Sequence, residues 1–453
     1  MNDNLDFIRS ALAGMAWPAV ADDVGARMLA MQFQLEQTQW WSAAELERHQ
    51  LQQLQLVLRH AGASVPFYRE CFTRTSFDPD QALTRESFRA LPVLTRSEVQ
   101  EAGVSLRAAG VPNGHGRIHS GETSGSTGRP IVFYTSELEQ FFWNAFTLRD
   151  HIWHQRDLRG CLAAIRYAKQ NEVLAGWGPA TDLVFATGPG KALRIDTGIS
   201  EQIDWLVEQN PEYLLSYASN LEELARVCIE RGIGFSRLRE VRSVSEVVRP
   251  DLRALVREAW GVKLTDMYST KEAGYLALQC PEHDHYHVQM ENALIEILDD
   301  HGEPCAPGKM GRVVVTALHK FAMPLLRYEI GDYAVPGGPC TCGRGLPVIL
   351  EILGRARNML RLPTGERRWP LCDLVKEPDM PGILQYQYVQ KEIDRIEVNL
   401  VVGEKFSRES EPRLVEIIHR RLGYPFRLDL IYRDRIPRSA SGKYEDFVCS
   451  IDK

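Results

Sequence analysis

A chain of 453 residues is too long for one compact core, so two or three domains are expected. Its 44% apolar and 25% charged content is that of an ordinary soluble globular protein, and a net charge of -7 argues against a nucleic-acid partner. No apolar run approaches the length of a membrane span, which argues against a membrane partner. The polar, acidic start Met1-Asn2-Asp3 is not a secretory signal, and nine cysteines, an odd number, suggest reduced thiols in a cytoplasm.

Residues 24–62 read as helical, with Leu46, Leu51, Leu54, Val57 and Leu58 spaced among Gln and Glu. Ser64-Val65-Pro66 ends that run, because proline disfavours helix in the residue before it. Thr95 and Glu98 have the spacing of a capping box at the start of a further helix. Thr123, Ser124, Gly125, Ser126, Thr127 and Gly128 then form six consecutive Gly, Ser or Thr residues. Small side chains let backbone N–H groups approach an anion, and the hydroxyls add donors, so this is a candidate phosphate cradle. It lacks the Lys-Ser/Thr of a Walker loop. Gly188-Pro189-Gly190-Lys191 looks more like such a loop, yet it lacks the upstream glycine and is read as a plain turn.

An apolar strand at 131–134 leads to a helix rich in aromatics: Phe141, Phe142, Trp143 and Phe146. Core packing accounts for most of that stripe, with Phe141 the candidate to wall a substrate pocket. From 160 to 275, apolar runs (161–165, 183–185, 213–215, 242–245, 262–267) alternate with helical patterns (200–208, 221–231, 250–260). Such alternation predicts an α/β sheet, whose ligands sit beyond the carboxyl ends of the strands. Tyr268-Ser269-Thr270-Lys271-Glu272 lies at one such end. Residues 280–350 turn to strands separated by Gly-Pro-Cys turns. The C-terminal piece reads as two strands, a helix and a strand, a small α+β domain. From residue 355 onward it carries a net charge of +3, which could help bind a polyanionic small molecule.

Cys280-x-x-His283 and Cys340-x-Cys342 form a second constellation. Three sulfurs and one imidazole suit a closed, tetrahedral, structural Zn²⁺ site. His285 and His287 compete with His283 for the fourth place, and spacing does not choose among them.

Taken in order, the Ser/Thr/Gly loop, Tyr268-x-x-x-Glu272, Arg327-Tyr328-Glu329-Ile330-Gly331-Asp332, Gly354-Arg355 and Ser441-Gly442-Lys443 resemble the motifs of adenylate-forming enzymes. Over essentially the whole chain the closer resemblance is to the phenylacetate–CoA ligase family and its capsule-biosynthesis relatives. That resemblance implies a large α/β adenylation domain, residues 1–354, and a small mobile domain, residues 355–453. It implies ATP-dependent activation of an organic, in the first instance aromatic, acid as acyl-adenylate, then transfer to coenzyme A. A carrier-protein thiol or an amine is the alternative acceptor. By the same resemblance, residues 123–128 would hold the ATP phosphates, Glu272 would bind Mg²⁺, and Tyr268, Ser269 and Thr270 would flank the nucleotide. Ser245-Glu246 would lie beside adenine, Asp332 and Arg355 would hold ribose, and Lys443 would act catalytically. Tyr217 matches a segment near the family's acid pocket, and homodimers are common among relatives. Ser269 and Lys271 depart from the family's usual Gly and Ser/Thr, and Arg357 stands where the hinge usually carries Asp or Lys.

Overall fold

A computed structural model describes residues 8–122, 131–168, 170–370, 374–375, 380–439 and 442–451. The candidate phosphate loop and Ser441 lie outside the described residues, as does the side chain of Arg357. The chain forms two compact units, Met1–Ile352 and Leu353–Lys453. No described helix is long and apolar enough to cross a membrane.

The stretch expected as one helix from 24 to 62 is two, Asp23–Thr38 and Ala43–Ser64. The break has a local cause. Glu45 N–H donates to the Ser42 hydroxyl (3.3 Å), and Ser42 N–H donates back to the Glu45 carboxylate (3.0 Å), so Ser42 starts a new helix. Val65 is extended (φ -118°, ψ 114°), as its place before proline demands, and Pro66 opens the helix Pro66–Thr75. The Thr95–Glu98 capping box forms as expected, with bonds of 3.3 and 2.7 Å, and starts the helix Arg96–Ala102. Leu54, Val57 and Leu58 from the second helix are buried against Tyr68, Phe72 and Leu326. Each such side chain contributes about 1.5–3 kcal/mol of transfer free energy.

The predicted alternation yields a six-stranded sheet. Its order is Glu172–Leu174, Gly190–Arg194, Leu162–Arg166, Tyr213–Ser216, Glu240–Ser243, Lys263–Thr265. All neighbours are parallel except the first pair. Helices Ile199–Gln209, Ala218–Arg231 and Pro250–Trp260 bury Ile203, Leu224 and Val256 against Ile165, Leu214 and Val241. The run at 183–185, expected as a strand, follows the short helix Pro179–Asp182 and makes only an isolated bridge to Ile8. The strand is instead Gly190–Arg194, formed by residues whose glycines suggested a phosphate loop. Gly188 is required there by close approach: a Cβ would fall 2.1 Å from the Arg159 carbonyl oxygen.

The stretch at 262–267 also divides. Lys263–Thr265 closes the parallel sheet, and Met267–Thr270 opens a second, antiparallel one. That seven-stranded sheet runs Ala293–Leu298, Gly311–Ala317, Tyr328–Pro336, Val348–Arg355, Tyr286–Val288, Gly274–Gln279, Met267–Thr270. The second unit is a four-stranded sheet, Arg427–Tyr432, Arg395–Val402, Ile383–Glu392, Phe447–Cys449, with the helix Glu411–Leu422. Tyr388, Val398, Leu414 and Ile418 form its core. The last strand was not predicted; it adds to the expected two strands, helix and strand.

Candidate active site and metal centre

The carboxyl ends of two neighbouring parallel strands bring the first candidates together. Tyr213–Ser216 ends at Tyr217, which is buried and whose hydroxyl accepts a hydrogen bond from the Tyr167 N–H (3.2 Å). Glu240–Ser243 is followed by Ser245 at φ 69°, left-handed backbone that a residue with a Cβ adopts at a cost. That turn aims Glu246 at the neighbouring helix. Its carboxylate accepts from Ser219 N–H (2.8 Å) in the first turn of Ala218–Arg231, where the helix dipole favours negative charge.

The second sheet supplies the next group. Tyr268, buried on the strand Met267–Thr270, donates its hydroxyl to Asp332 Oδ2 at 2.8 Å. Asp332 follows Gly331, whose φ of 83° suits glycine. Thr270 accepts from Ala273 N–H (3.0 Å) and so closes the turn that holds Glu272. Glu272 is partly buried and makes no hydrogen bond or ion pair with a described residue. An uncommitted carboxylate of this kind fits a hard cation such as Mg²⁺. Lys271 is exposed and likewise makes no ion pair among the described residues, so it does not neutralise Glu272.

Phe141 and Tyr217 do not share a cluster. Phe141 packs with Met28, Val184 and Phe185, and Tyr217 with Leu214, Leu221 and Val241. A helix turns about 100° per residue, so the next side chain, Phe142, faces elsewhere. It packs on the cluster that contains Tyr268 and Tyr275, and lies flat on His319, with centroids 3.7 Å apart and planes 3° apart. Burial lowers the His319 pKa to about 4, so the ring is neutral, and its Nε2–H donates to the Glu291 carbonyl (2.8 Å).

In the second unit Arg355 ends the strand Val348–Arg355. Lys443 is partly buried in a turn: its N–H donates to Ser439 Oγ (3.2 Å), and Ser439 N–H donates to the Lys443 carbonyl (2.8 Å). Gly442 occupies the left-handed position of that turn, at φ 82°.

A candidate metal site gathers Cys280, His285, His287 and Cys340, with their possible ligand atoms all within 4.8 Å of one another. Cys280 Sγ and Cys340 Sγ are 4.0 Å apart, and His285 Nε2 is 3.1 Å from Cys340 Sγ. Cys342 Sγ sits 3.3 Å from His287 Nε2. A tetrahedral Zn²⁺ with bonds of about 2.0–2.3 Å places its ligand atoms roughly 3.3–3.8 Å apart, so the donors fit the ion. His283, expected as the fourth ligand, is not in the group; its Nε2 is 2.9 Å from Thr341 Oγ1. The reason is local. Residues 281–285 form bends and the strand begins only at Tyr286, so alternation aligns His285 with His287 and does not extend back to His283. Burial, together with the Cys280 and Cys342 thiols, pushes the Cys340 thiol up to about 12, and burial holds His287 down near 4. A bound cation would drive the thiol protons off.

Residues 371–450 match the family described as the CapK C-terminal domain. The phenylacetate-coenzyme A ligase of Thermus thermophilus is 27% identical over 439 residues, covering 88% of this chain and 95% of the relative. The enzyme of the same name from Pseudomonas putida is 26% identical, covering 70% and 72%. Over most of its length the chain is similar to phenylacetate-coenzyme A ligases. Among solved structures, a 2-hydroxyisobutyryl-CoA ligase in its postadenylation state shares this ligase-like fold at a TM-score of 0.71 and 20% identity, with 92% of each chain covered. An anthranilate CoA ligase matches at 0.51 and 15% identity, over 72% of this chain and 65% of that one.

Sequence reasoning did not single out His319, on which Phe142 stacks, or the buried Lys320 that follows it. A histidine and a lysine at the end of the apolar run Val313-Val314-Val315-Thr316-Ala317-Leu318 were the available signal.

Proposed function

We propose that the chain activates an organic carboxylic acid with ATP and passes the acyl group to coenzyme A, releasing pyrophosphate and then AMP. A substrate carboxylate oxygen attacks the α-phosphorus and pyrophosphate leaves; the thiol sulfur then attacks the acyl carbon and AMP leaves. The observation that carries the reading is Tyr268 bonded to Asp332 at 2.8 Å beside the turn of the uncommitted Glu272. Relatives named as phenylacetate-coenzyme A ligases, matching over as much as 88% of the chain, support it. An ionised carboxylate is an acceptor with two oxygens, which suits Asp332 to the two hydroxyls of a ribose diol. Tyr268 would flank adenine, with Ser245 and Glu246 at the rim of the parallel sheet. Glu272 would hold Mg²⁺, which supplies neutralising charge for the phosphates. Residues 123–128 would cradle those phosphates. Residues 1–354 would form the adenylation domain, and residues 355–453 would carry Arg355 to the ribose and Lys443 to the reacting carboxylate. An aromatic acid is the first substrate to test, with Phe142 and Tyr217 as pocket walls. We place the enzyme in the cytoplasm, as a homodimer.

Pyrophosphate release is the test, measured with ATP, Mg²⁺ and a panel of aryl, aliphatic and amino acids, with and without coenzyme A. A coenzyme-dependent thioester supports the ligase; release without thioester moves the acceptor to a carrier-protein thiol or an amine; no release with any acid sinks the reading. Asp332→Asn removes charge-assisted bonds worth about 1.5–3 kcal/mol, so KM for ATP is expected to rise about 10–100-fold, with the acid's KM little changed. An unchanged KM for ATP would take the ribose role away from Asp332.

We also assign a structural Zn²⁺ to Cys280, His285 and Cys340, with His287 or Cys342 completing the site. Elemental analysis of the purified protein is expected to find one zinc per chain. His285→Ala should lose it and lower the melting temperature, and His283→Ala should keep it. Protein that folds and is fully stable without zinc would remove the assignment.

A further inference from the structure

We infer that Lys320 is a positioning residue for ATP, acting by fixing the hairpin that flanks residues 123–130. The inference rests on the adenylation reading above. Among the described residues, the strands Ile118–Glu122 and Val132–Ser136 pair only with each other. A two-stranded hairpin is marginal in water on its own, so contacts from outside it must set its position.

Ile131 and Phe133 pack into the core beside it, and Lys320 adds buried polar contacts from the connection between Gly311–Ala317 and Tyr328–Pro336. It is 2% exposed, among the most buried charged residues of the chain. Its ammonium donates to the Tyr134 carbonyl (3.3 Å), on the hairpin's second strand, and pairs with Glu139 at 2.7 Å. The Glu139 carboxylate also accepts from Ser136 N–H (2.8 Å), the residue where the hairpin passes into the helix Glu137–Trp153. One ammonium therefore ties together the hairpin's return strand, its exit and the start of the helix that carries Phe142. The Phe133 ring lies 5.6 Å from the same ammonium and fills the space over Gly121, where a Cβ would come within 2.7 Å of it. Lys320 thus touches the return strand directly and the first strand through Phe133.

Desolvating an ammonium costs several kcal/mol, and an apolar side chain of similar volume often stabilises a buried site as well or better. The pair accordingly contributes placement more than stability. The last paired residues, Glu122 and Val132, are the two from which the candidate phosphate loop departs. A displacement of the hairpin moves both ends of that loop together, and a misplacement of about 1 Å can cost about 100-fold in rate.

The experiment is Lys320→Met in the full chain, with Lys320→Arg and the double variant Glu139→Gln/Lys320→Met beside it. Lys320→Met is expected to raise KM for ATP about 10–100-fold, to leave KM for the acid within about twofold, and to speed hydrogen exchange at 118–136. Lys320→Arg should restore much of the ATP KM. The double variant, which buries no unpaired charge, should regain thermal stability without regaining the ATP KM, which a merely structural pair would not do. Folded Lys320→Met or double variant with wild-type KM for ATP and wild-type exchange at 118–136 overturns the inference. Wild-type protein that neither binds nor consumes ATP removes the adenylation reading and the ATP half of this one; exchange at 118–136 then decides whether Lys320 fixes the hairpin.

Discussion

Lys443→Ala is expected to slow acyl-adenylate formation about 10²–10³-fold, while a supplied acyl-adenylate is still converted to thioester near the wild-type rate. As the carboxylate oxygen closes on the α-phosphorus, negative charge gathers on the phosphoryl oxygens, and a preplaced cation stabilises that state more than the ground state. Removing one such group costs about 2.7–4 kcal/mol of barrier. The turn suits the task. Ser439 and Lys443 are joined by two bonds of 2.8 and 3.2 Å, and Gly442 lies at φ 82°, so the lysine's backbone is held against Ser439. Transfer to the thiol has no pentacoordinate phosphorus, which is why the second half-reaction should survive. ATP–pyrophosphate exchange measures the first step, and single-turnover thioester formation from synthetic acyl-adenylate the second. Exchange at the wild-type rate in the variant would remove Lys443 from catalysis, whereas loss of both steps together would point to a damaged second unit.

What the sequence made legible was mostly local. The Thr95–Glu98 box, the proline-opened helix Pro250–Trp260 and the stop before Pro66 depend on residues within one turn of each other, and all three formed as read. The division at Ser42 was equally local, carried by the Ser42–Glu45 box, and it was missed. Sheet membership was not local. Residues 262–267 look like one strand, yet Asp266 marks the passage from the parallel to the antiparallel sheet, a fact held only in the partners each half finds. At 183–193 glycine misled. Gly188 and Gly190 admit a close backbone approach, and that approach serves strand packing.

The candidate site divides along the same line. Residue types in order were enough to single out Tyr268, Glu272 and Asp332, and the hydrogen bond between the first and last joins strands that are 64 residues apart in the chain. Which histidine lies with Cys280 and Cys340 depends on the bends at 281–285, and which clusters Phe141 and Phe142 join depends on the helix's rotation. Neither is encoded in spacing alone. Lys320 was invisible for another reason: a lysine reads as solvated until its counter-charge, 181 residues away at Glu139, is brought against it.

The same blindness applies to Asp150, where the largest stability effect is expected: Asp150→Asn should cost about 3–5 kcal/mol. Asp150 is 1% exposed at the end of the aromatic helix, and its Oδ2 accepts from Arg156 (2.7 Å) and Arg242 (2.6 Å). Arg156 also pairs with Glu240 at 2.6 Å, and Glu240 and Arg242 share a face of the strand Glu240–Ser243. Two guanidiniums and two carboxylates thus cancel inside the protein. The amide would leave two buried cations against one anion. His154, 3.6 Å from Asp150, adds no balancing change, since burial, its largest influence, lowers its pKa to about 4. Burial alone would raise the pKa of Asp150, but Arg156 and Arg242 outweigh it and hold the carboxyl well below its usual range. A carboxyl with a depressed folded pKa contributes stability above its unfolded value, about 3.9, and loses it as pH falls further. The gap between wild type and variant in denaturant melts should therefore be constant from about pH 5 to 8 and narrow below about pH 4. Adding Arg242→Met to Asp150→Asn removes the unpaired cation and should recover part of the loss, because the remaining Arg156–Glu240 pair is balanced. A variant as stable as wild type, or a double variant showing simple additivity, would mean that water enters the cluster and the helix is held to the sheet by its apolar contacts alone.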